Sequence, residues 1–342
     1  MAEPLIIGGL HVKPGQRTLI DIPIANLYTH TPVELPVHVL RGKRDGPRLF
    51  VCAAIHGDEL NGIEIIRRLL ASRKLRGLRG TLIAVPIVNV YGVLERSRYL
   101  PDRRDLNRSF PGSSKGSMAA RLADVFMEEI VSKCSHGIDL HTGAIHRSNL
   151  PQIRANLDDE ETRSLAEAFG VPVTINASIR DGSLRGAAAE LGIPMLLYEA
   201  GEALRLDEVS IRAGLQGIIN VMRKIGMLAP SRSTKRYNEP FVARSSNWER
   251  APESGLLRSV AVLGRFVKKG EALGTIADPV TGSEVPVTTR YSGVVIGRTE
   301  MPLVHEGEAI FHIARFEESA KEITAQVEAF QSDHDPEETI TL

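Results

Sequence analysis

From about residue 35 the apolar positions of the chain switch between two periods. The run LFVCAAI, residues 49 to 55, is short and continuously apolar, as a strand buried on both faces requires, and GIEIIRRLLASR after it repeats its apolar positions at the helical interval. TLIAVPIVNV, residues 81 to 90, returns to β-rich composition. Further on, the pattern predicts a long helix from Ser117 to about Cys134, a short strand GIDL, and a helix from about Asp158 that Gly170 terminates. Ser183 reads as an N-cap, Gly192 and Pro194 stop the helix it starts, and MLLY then reads as an interior strand with Glu199 at its carboxyl end. One more helix is expected near Asp207 to Ile225. This alternation argues for an α/β fold, with a mixed, mostly parallel sheet flanked by helices.

From about residue 238 the character changes to Val, Gly and turn signals, with strands too closely spaced to leave room for crossover helices. VKKGEALGTI from Val267 and VHEGEAIFHI from Val304 share the pattern V-x-x-G-E-A-x-x-x-I, which suits a pseudo-symmetric pair of hairpins in a small closed β module. The expected organisation is a catalytic α/β domain over residues 1–237, an all-β domain over 238–316, and an acidic helical tail over 317–342. A length of 342 residues agrees with about two domains.

Composition narrows the functional classes. With 42 basic and 42 acidic residues, overall charge gives no reason to expect nucleic acid or an anionic membrane as a partner. Two cysteines, Cys52 and Cys134, cannot form a disulfide framework, which points to a reducing compartment. No basic segment followed by a long apolar one opens the chain, and no run approaches the roughly 20 apolar residues that span a bilayer. The expectation is a cytoplasmic protein; association with copies of itself is left open.

Candidate chemistry gathers where strands end. In HGDE, His56 and Glu59 stand three positions apart, so one turn brings both to the same side, where they could share an ion. The plainer reading is that Asp58 or Glu59 caps the following helix and His56 is a core residue. GIDLHTG puts His141 past another apolar strand; two histidines and one carboxylate are the ligand set of many hydrolytic zinc sites, with the fourth position left for water. Asp139 is expected to point to the other face of that strand. RYLPDRRDLNRSFPG, residues 98 to 112, reads either as a charged surface loop or as the source of Asn107 and Arg108, an amide and a two-pronged guanidinium suited to a substrate carboxylate. Glu199 is either one half of a salt bridge or the proton shuttle of a zinc site, with Glu202 as its neighbouring competitor.

The set HGDE, DLNRSFPG, DLHTG and YEAGE, in that order, resembles the succinylglutamate desuccinylase and aspartoacylase family, itself similar to the zinc carboxypeptidases in its catalytic half. The likeness spans about residues 40 to 225. It implies that His56, Glu59 and His141 ligate Zn2+, that Glu199 is the general base and acid, and that Asn107 and Arg108 bind the substrate carboxylate. It also matches Arg98 to an arginine that polarises the scissile carbonyl, although extra residues before DLNR leave Arg103 and Arg104 as rivals. The β module resembles biotinyl and lipoyl carriers, yet IADPVTGSEVPV has no lysine for a prosthetic group; in the family such a module lies against the catalytic domain and narrows its entrance. The implied activity is hydrolysis of the amide in a small N-acyl amino acid substrate. A metallocarboxypeptidase acting on peptides, or a metal-free binding protein of the same fold, uses the same residues differently. Arg154, Arg185, Tyr198, Tyr237 and Tyr291 are further pocket candidates, with a surface location expected for the two arginines.

Overall fold

The computed structural model describes residues 4–231, 240–243 and 245–335. Ahead of the alternating segment lie two short strands, β1 (Leu5–Ile7) and β2 (Leu10–Val12), and a long antiparallel pair, β3 (Arg17–Asn26) and β4 (Pro32–Arg41). Then follow β5 (Arg44–Ala53), α1 (Asn61–Ala71), β6 (Arg79–Val85), α2 (Val90–Glu95), α3 (Met118–Glu129), β7 (His136–Gly143), β8 (Arg147–Ala155), α4 (Glu160–Phe169), β9 (Val173–Asn176), α5 (Leu184–Glu190), β10 (Met195–Glu202) and α6 (Glu208–Lys224). The remaining elements are β11 (Phe241–Ala243), β12 (Ser245–Arg250), β13 (Gly255–Ser259), β14 (Phe266–Val267), β15 (Ala272–Ala277), β16 (Glu284–Thr288), β17 (Gly293–Thr299), β18 (Leu303–Val304), β19 (Ala309–Arg315) and α7 (Ala320–His334). Among the described residues no helix is long and apolar enough to cross a membrane.

Helix starts follow the capping residues. The side chains of Ser117, Asp159, Ser183 and Asp207 accept from backbone N–H groups three positions on, at 3.3, 2.7, 3.1 and 2.6 Å, which satisfies donors that a helix leaves orphaned. Gly170 closes α4 at φ 88°. Two elements are shorter than their sequence pattern. Helix α3 stops at Glu129 because Ile130 leaves helical geometry (φ −120°, ψ −65°), and only a 3₁₀ turn, Val131–Lys133, follows. Strand β6 ends before Pro86, which has no N–H to give a neighbour, and the Asn89 side chain then caps α2 by accepting from Gly92 at 2.8 Å.

The fold is a mixed α/β sheet flanked by helices. At its centre β6, β5, β7 and β10 run parallel, with antiparallel β4 and β3 on one side and β8 on the other. The apolar run of β5 splits by alternation: Leu49, Val51 and Ala53 enter the core beneath α1 and α6, and Phe50 and Cys52 enter the core beneath α3 and α5. A continuous run is needed because both faces are covered.

The C-terminal strands build a second structure on the open edge. β17, β19 and β12 continue the large sheet outward from β8, and β16, β15, β13 and β18 form a separate antiparallel sheet packed against them. The two repeats are equivalent turns. Val267 and Val304 are buried, Gly270 and Gly307 take φ of 83° and 79°, and the Glu271 and Glu308 carboxylates accept from Lys268 N and His305 N at 2.9 and 3.0 Å. Each repeat sends one strand to each sheet. Leu150, Val173 and Ile175 share a core with Val294, Ile296, Ala314, Ile323 and Val327, so β8, β9 and α7 pack onto this module. The boundary expected at residue 237 and the last seven residues of the tail lie outside the described residues.

Two loops cross closely beside His56. A Cβ on Gly57 would lie 1.9 Å from the Gly92 carbonyl carbon and 2.3 Å from Val93 N. Gly57→Ala is therefore expected to lower stability by about 1–3 kcal/mol or more, since the clash is with backbone. Urea unfolding checks this; a variant with the parent's midpoint contradicts so tight a crossing.

Candidate active site

The parallel strands end at one rim, and the loops after them converge on a cavity of about 660 Å³. Beyond β5 the chain turns sharply at Ala54, whose φ of 53° costs an alanine on the order of 1–3 kcal/mol. Val88 N and Asn89 N hold this turn by donating to the Ala53 and Ala54 carbonyls at 3.0 and 2.9 Å. His56 and Glu59 follow, and α1 starts after them with Leu60 at its N-cap and no side-chain cap. Neither Asp58 nor Glu59 caps the helix, so the capping part of the plainer reading of HGDE does not hold, while His56 is buried as that reading expects.

Donor atoms of His56, Glu59 and His141 lie within 4.8 Å of one another, and all three side chains are buried. Glu59 sits between the rings, its Oε1 2.8 Å from His56 Nδ1 and its Oε2 2.7 Å from His141 Nδ1. The far nitrogens meet outer carboxylates: His56 Nε2 lies 3.2 Å from Asp105 Oδ1, and His141 Nε2 lies 2.6 Å from Asp139 Oδ2. Asp139 thus points the same way as His141, because residues two apart on a strand share a face. Asp105, which carries no motif of its own within its loop, contacts both His56 and Arg98.

Electrostatics decide what this cluster wants. Burial opposes ionisation of Glu59, but the imidazoles of His56 and His141 outweigh it and hold the carboxyl far below its usual range. Burial likewise opposes a charge on His141, yet Asp139 and Glu59 push its pKa well up, and Glu59 and Asp105 raise that of His56. Glu59, Asp105 and Asp139 against Arg98 leave a charge of about −2 when both rings are neutral. A divalent cation balances that charge, and each ring already presents one nitrogen inward while a carboxylate orients the other, the arrangement around metal-bound histidine. The residues present fit a metal.

Glu199 pairs in register with His141 across β10 and β7, which brings it to the same cavity. Asn149 donates to its Oε1 at 2.8 Å, and Arg154 lies 2.5 Å from its Oε2. Glu202, its competitor, instead accepts from His146 N at 3.1 Å and does not line the cavity. Arg98 lines it, with Nη1 3.6 Å from Glu59 Oε1 and Nη2 3.0 Å from Asp105 Oδ2. Arg103 and Arg104 are exposed and outside it. Asn107 and Arg108 stand on a 3₁₀ turn whose N-cap is Asp105. The Asn107 side-chain oxygen accepts from Leu184 N at 3.0 Å, which ties that turn to α5 and leaves the amide NH2 for a ligand.

The surface location expected for Arg154 and Arg185 is corrected, since both line the cavity. Tyr198 points the other way, into the core, and donates to the Ser210 carbonyl at 2.7 Å. Tyr291 packs under Arg315, away from the cavity, and Tyr237 lies outside the described residues. Asn149, Arg147, Trp248 and His312 also line the site; no motif marked them, since their strands join only in the folded sheet.

Residues 45–225 match a family model described as the succinylglutamate desuccinylase/aspartoacylase catalytic domain, more than half of the chain. A curated relative, the N-alpha-acetyl-L-2,4-diaminobutyric acid deacetylase of Halomonas elongata, is 28% identical over 319 residues, covering 89% of this chain and 92% of its own. Two solved structures have this fold at 24% identity and a TM-score of 0.78. One is a succinylglutamate desuccinylase/aspartoacylase from Rhodobacter sphaeroides, with 89% of this chain and 97% of that one covered. The other is the product-bound ectoine utilization protein EutE (DoeB) from Ruegeria pomeroyi, with 89% and 96% covered. The chain belongs to the succinylglutamate desuccinylase/aspartoacylase family.

Proposed function

We propose that this chain is a cytoplasmic, zinc-dependent hydrolase that cleaves the amide bond of a small N-acylated amino acid. The observation that carries the reading is the convergence of His56, Glu59 and His141 in the cavity that Glu199 also lines. The Halomonas relative, named as a deacetylase, supports the reaction class.

His56, Glu59 and His141 would hold the zinc ion, which when bound supplies a Lewis acid and lowers the pKa of its water toward ~7. Asn107 and Arg108 bind the substrate carboxylate through the amide NH2 and the guanidinium fork. Glu199 takes a proton from the attacking water as the C–O bond forms, then delivers it to the nitrogen as the C–N bond breaks, giving a carboxylate and a free amine. Asn149 and Arg154 fix the orientation of that carboxylate. Arg98 donates to the carbonyl oxygen as negative charge develops there. Asp139 and Asp105 orient the two imidazoles. Strands β12 and β19 contribute cavity wall, and a volume near 660 Å³ suits a small molecule better than a peptide chain.

Glu199→Gln is expected to retain zinc and to lower kcat by roughly 10²–10⁴-fold, measured on a panel of N-acyl amino acids. Near-parental turnover removes Glu199 from the chemistry. His56→Ala is expected to abolish stoichiometric zinc in elemental analysis; undiminished zinc places the metal elsewhere. Loss of Arg108 in Arg108→Ala removes a charged hydrogen-bond pair of about 1.5–3 kcal/mol, so kcat/KM is expected to fall on the order of 10- to 150-fold, and an unchanged value contradicts its role.

A further inference from the structure

We propose that the amino end of the central sheet, opposite the metal cluster, carries a binding site for a phosphorylated small molecule of nucleotide size. The site shares no residue with the catalytic cavity and does not depend on the deacylase reading.

Charge segregation is the first ground. The chain as a whole carries 42 basic and 42 acidic residues, yet a pocket of about 540 Å³ is lined by Arg17, Arg41, Lys43, Arg44, Arg73 and Arg76 and, among the described residues, by no aspartate or glutamate. Nor does a carboxylate among the described residues pair with Arg17, Lys43, Arg44, Arg73 or Arg76. Three separate segments supply these cations: the start of β3, the turn between β4 and β5, and the 3₁₀ turn Arg73–Gly77 that follows α1. Folding therefore gathers them. Arg44 and Arg79 stand opposite each other across β5 and β6, and burial, followed by the charge of Arg223 on α6, lowers the Lys74 pKa. Like charges crowded in this way repel, and a bound anion relieves the repulsion.

Construction is the second ground. Gly15 N donates to the Arg41 carbonyl and Arg41 N to the Gln16 carbonyl, both at 2.9 Å, and Gly42 N donates to the Gly80 carbonyl at 2.8 Å. The Arg17 guanidinium donates to the Leu70 carbonyl near the end of α1, and buried Arg41 donates through Nη1 to the Val12 carbonyl at 2.7 Å. A Cβ on Gly42 would lie 2.3 Å from the Leu78 oxygen, and one on Gly80 2.0 Å from the Pro47 oxygen. Larger residues there would push the segments apart, so the pocket walls are held by backbone at closest approach. Arg41 and Arg44 also line an adjoining cavity of about 200 Å³, where Arg48 adds a cation and Asp45 is the carboxylate.

Shape and chemistry together name the ligand class. Guanidinium forks match phosphate oxygens two at a time, and several of them suit an anion with more than one negative charge. Leu40, Leu75 and Leu78 line the pocket between the cations and offer apolar surface to an uncharged part of the ligand. A volume near 540 Å³ is that of a small-molecule pocket, most of which a single inorganic ion would leave unfilled.

The test is calorimetry on the full-length chain at near-physiological salt, where diffuse surface attraction is screened, with ATP, adenosine, citrate and a short single-stranded oligonucleotide as probes. ATP is expected to bind saturably at one per chain, with adenosine and citrate at least tenfold weaker. The triple variant Arg44→Gln, Arg73→Gln, Arg76→Gln changes only exposed side chains; it is expected to keep the parent's melting temperature and to weaken ATP at least tenfold, whereas Arg108→Ala in the catalytic cavity leaves ATP binding unchanged. Lys43→Glu, expected to weaken ATP at least threefold, decides the matter if the triple variant does not fold. Three results overturn the site. Absence of saturable ATP binding reduces the cluster to a solvated basic face. Binding lost in Arg108→Ala and kept in the triple variant assigns the anion to the catalytic cavity. Citrate or the oligonucleotide binding as tightly as ATP shows a surface that takes any polyanion.

Discussion

One carboxylate wedged between two imidazoles organises the functional end of this molecule. Glu59 is 2% exposed, and a buried charge left unpaired there would cost several kcal/mol. Its two oxygens are met by His56 from the loop after β5 and by His141 from the end of β7. Those strands are neighbours in parallel register, so the meeting depends on the sheet. The outer carboxylates of Asp105 and Asp139 then fix the rings and leave the cluster short of positive charge. In the proposed reading a divalent cation relieves that deficit when the rings are neutral, and a bound cation also activates water.

The C-terminal strands are part of the same device. They do not sit apart from the α/β part; β17 bonds to β8, and the sheet that carries Glu199 runs on through β19 to β12. Trp248 and His312 thereby join the cavity. The repeat that marks this module in sequence has a structural purpose, since each V-x-x-G-E turn is capped by its own glutamate and moves the chain from one sheet to the other. The C-terminal strands thus form part of the cavity wall.

Much of this was legible in the sequence, for physical reasons that differ by element. Strands β5, β7 and β10 stand out because both faces are buried, and caps such as Asp159 and Ser183 carry a local signal that tertiary contacts did not override. The trio His56, Glu59 and His141 was legible because His56 and Glu59 lie in the loop after one apolar strand and His141 stands near the end of another. Strands β3 and β4 were not read, since their apolar residues alternate with polar ones and carry no chemistry. Asp139, expected on the opposite face from His141, shares its face because a spacing of two on a strand repeats the face. Arg180, Trp248 and His312 carry no motif, and their placement depends on sheet register that no local pattern encodes. Arg154 and Arg185 look like surface residues because arginine usually is one; here the cavity takes them in.

The most direct measurement is X-ray absorption at the zinc edge on the zinc-loaded chain. The expected spectrum is a single site with two imidazole scatterers and oxygen donors, and without sulfur, as neither Cys52, whose thiol donates to Asp139 at 3.3 Å, nor Cys134 lines the cavity. A sulfur shell, a spectrum with no imidazole scattering, or a chain that binds no zinc at all would contradict the idea that His56, Glu59 and His141 form one metal centre.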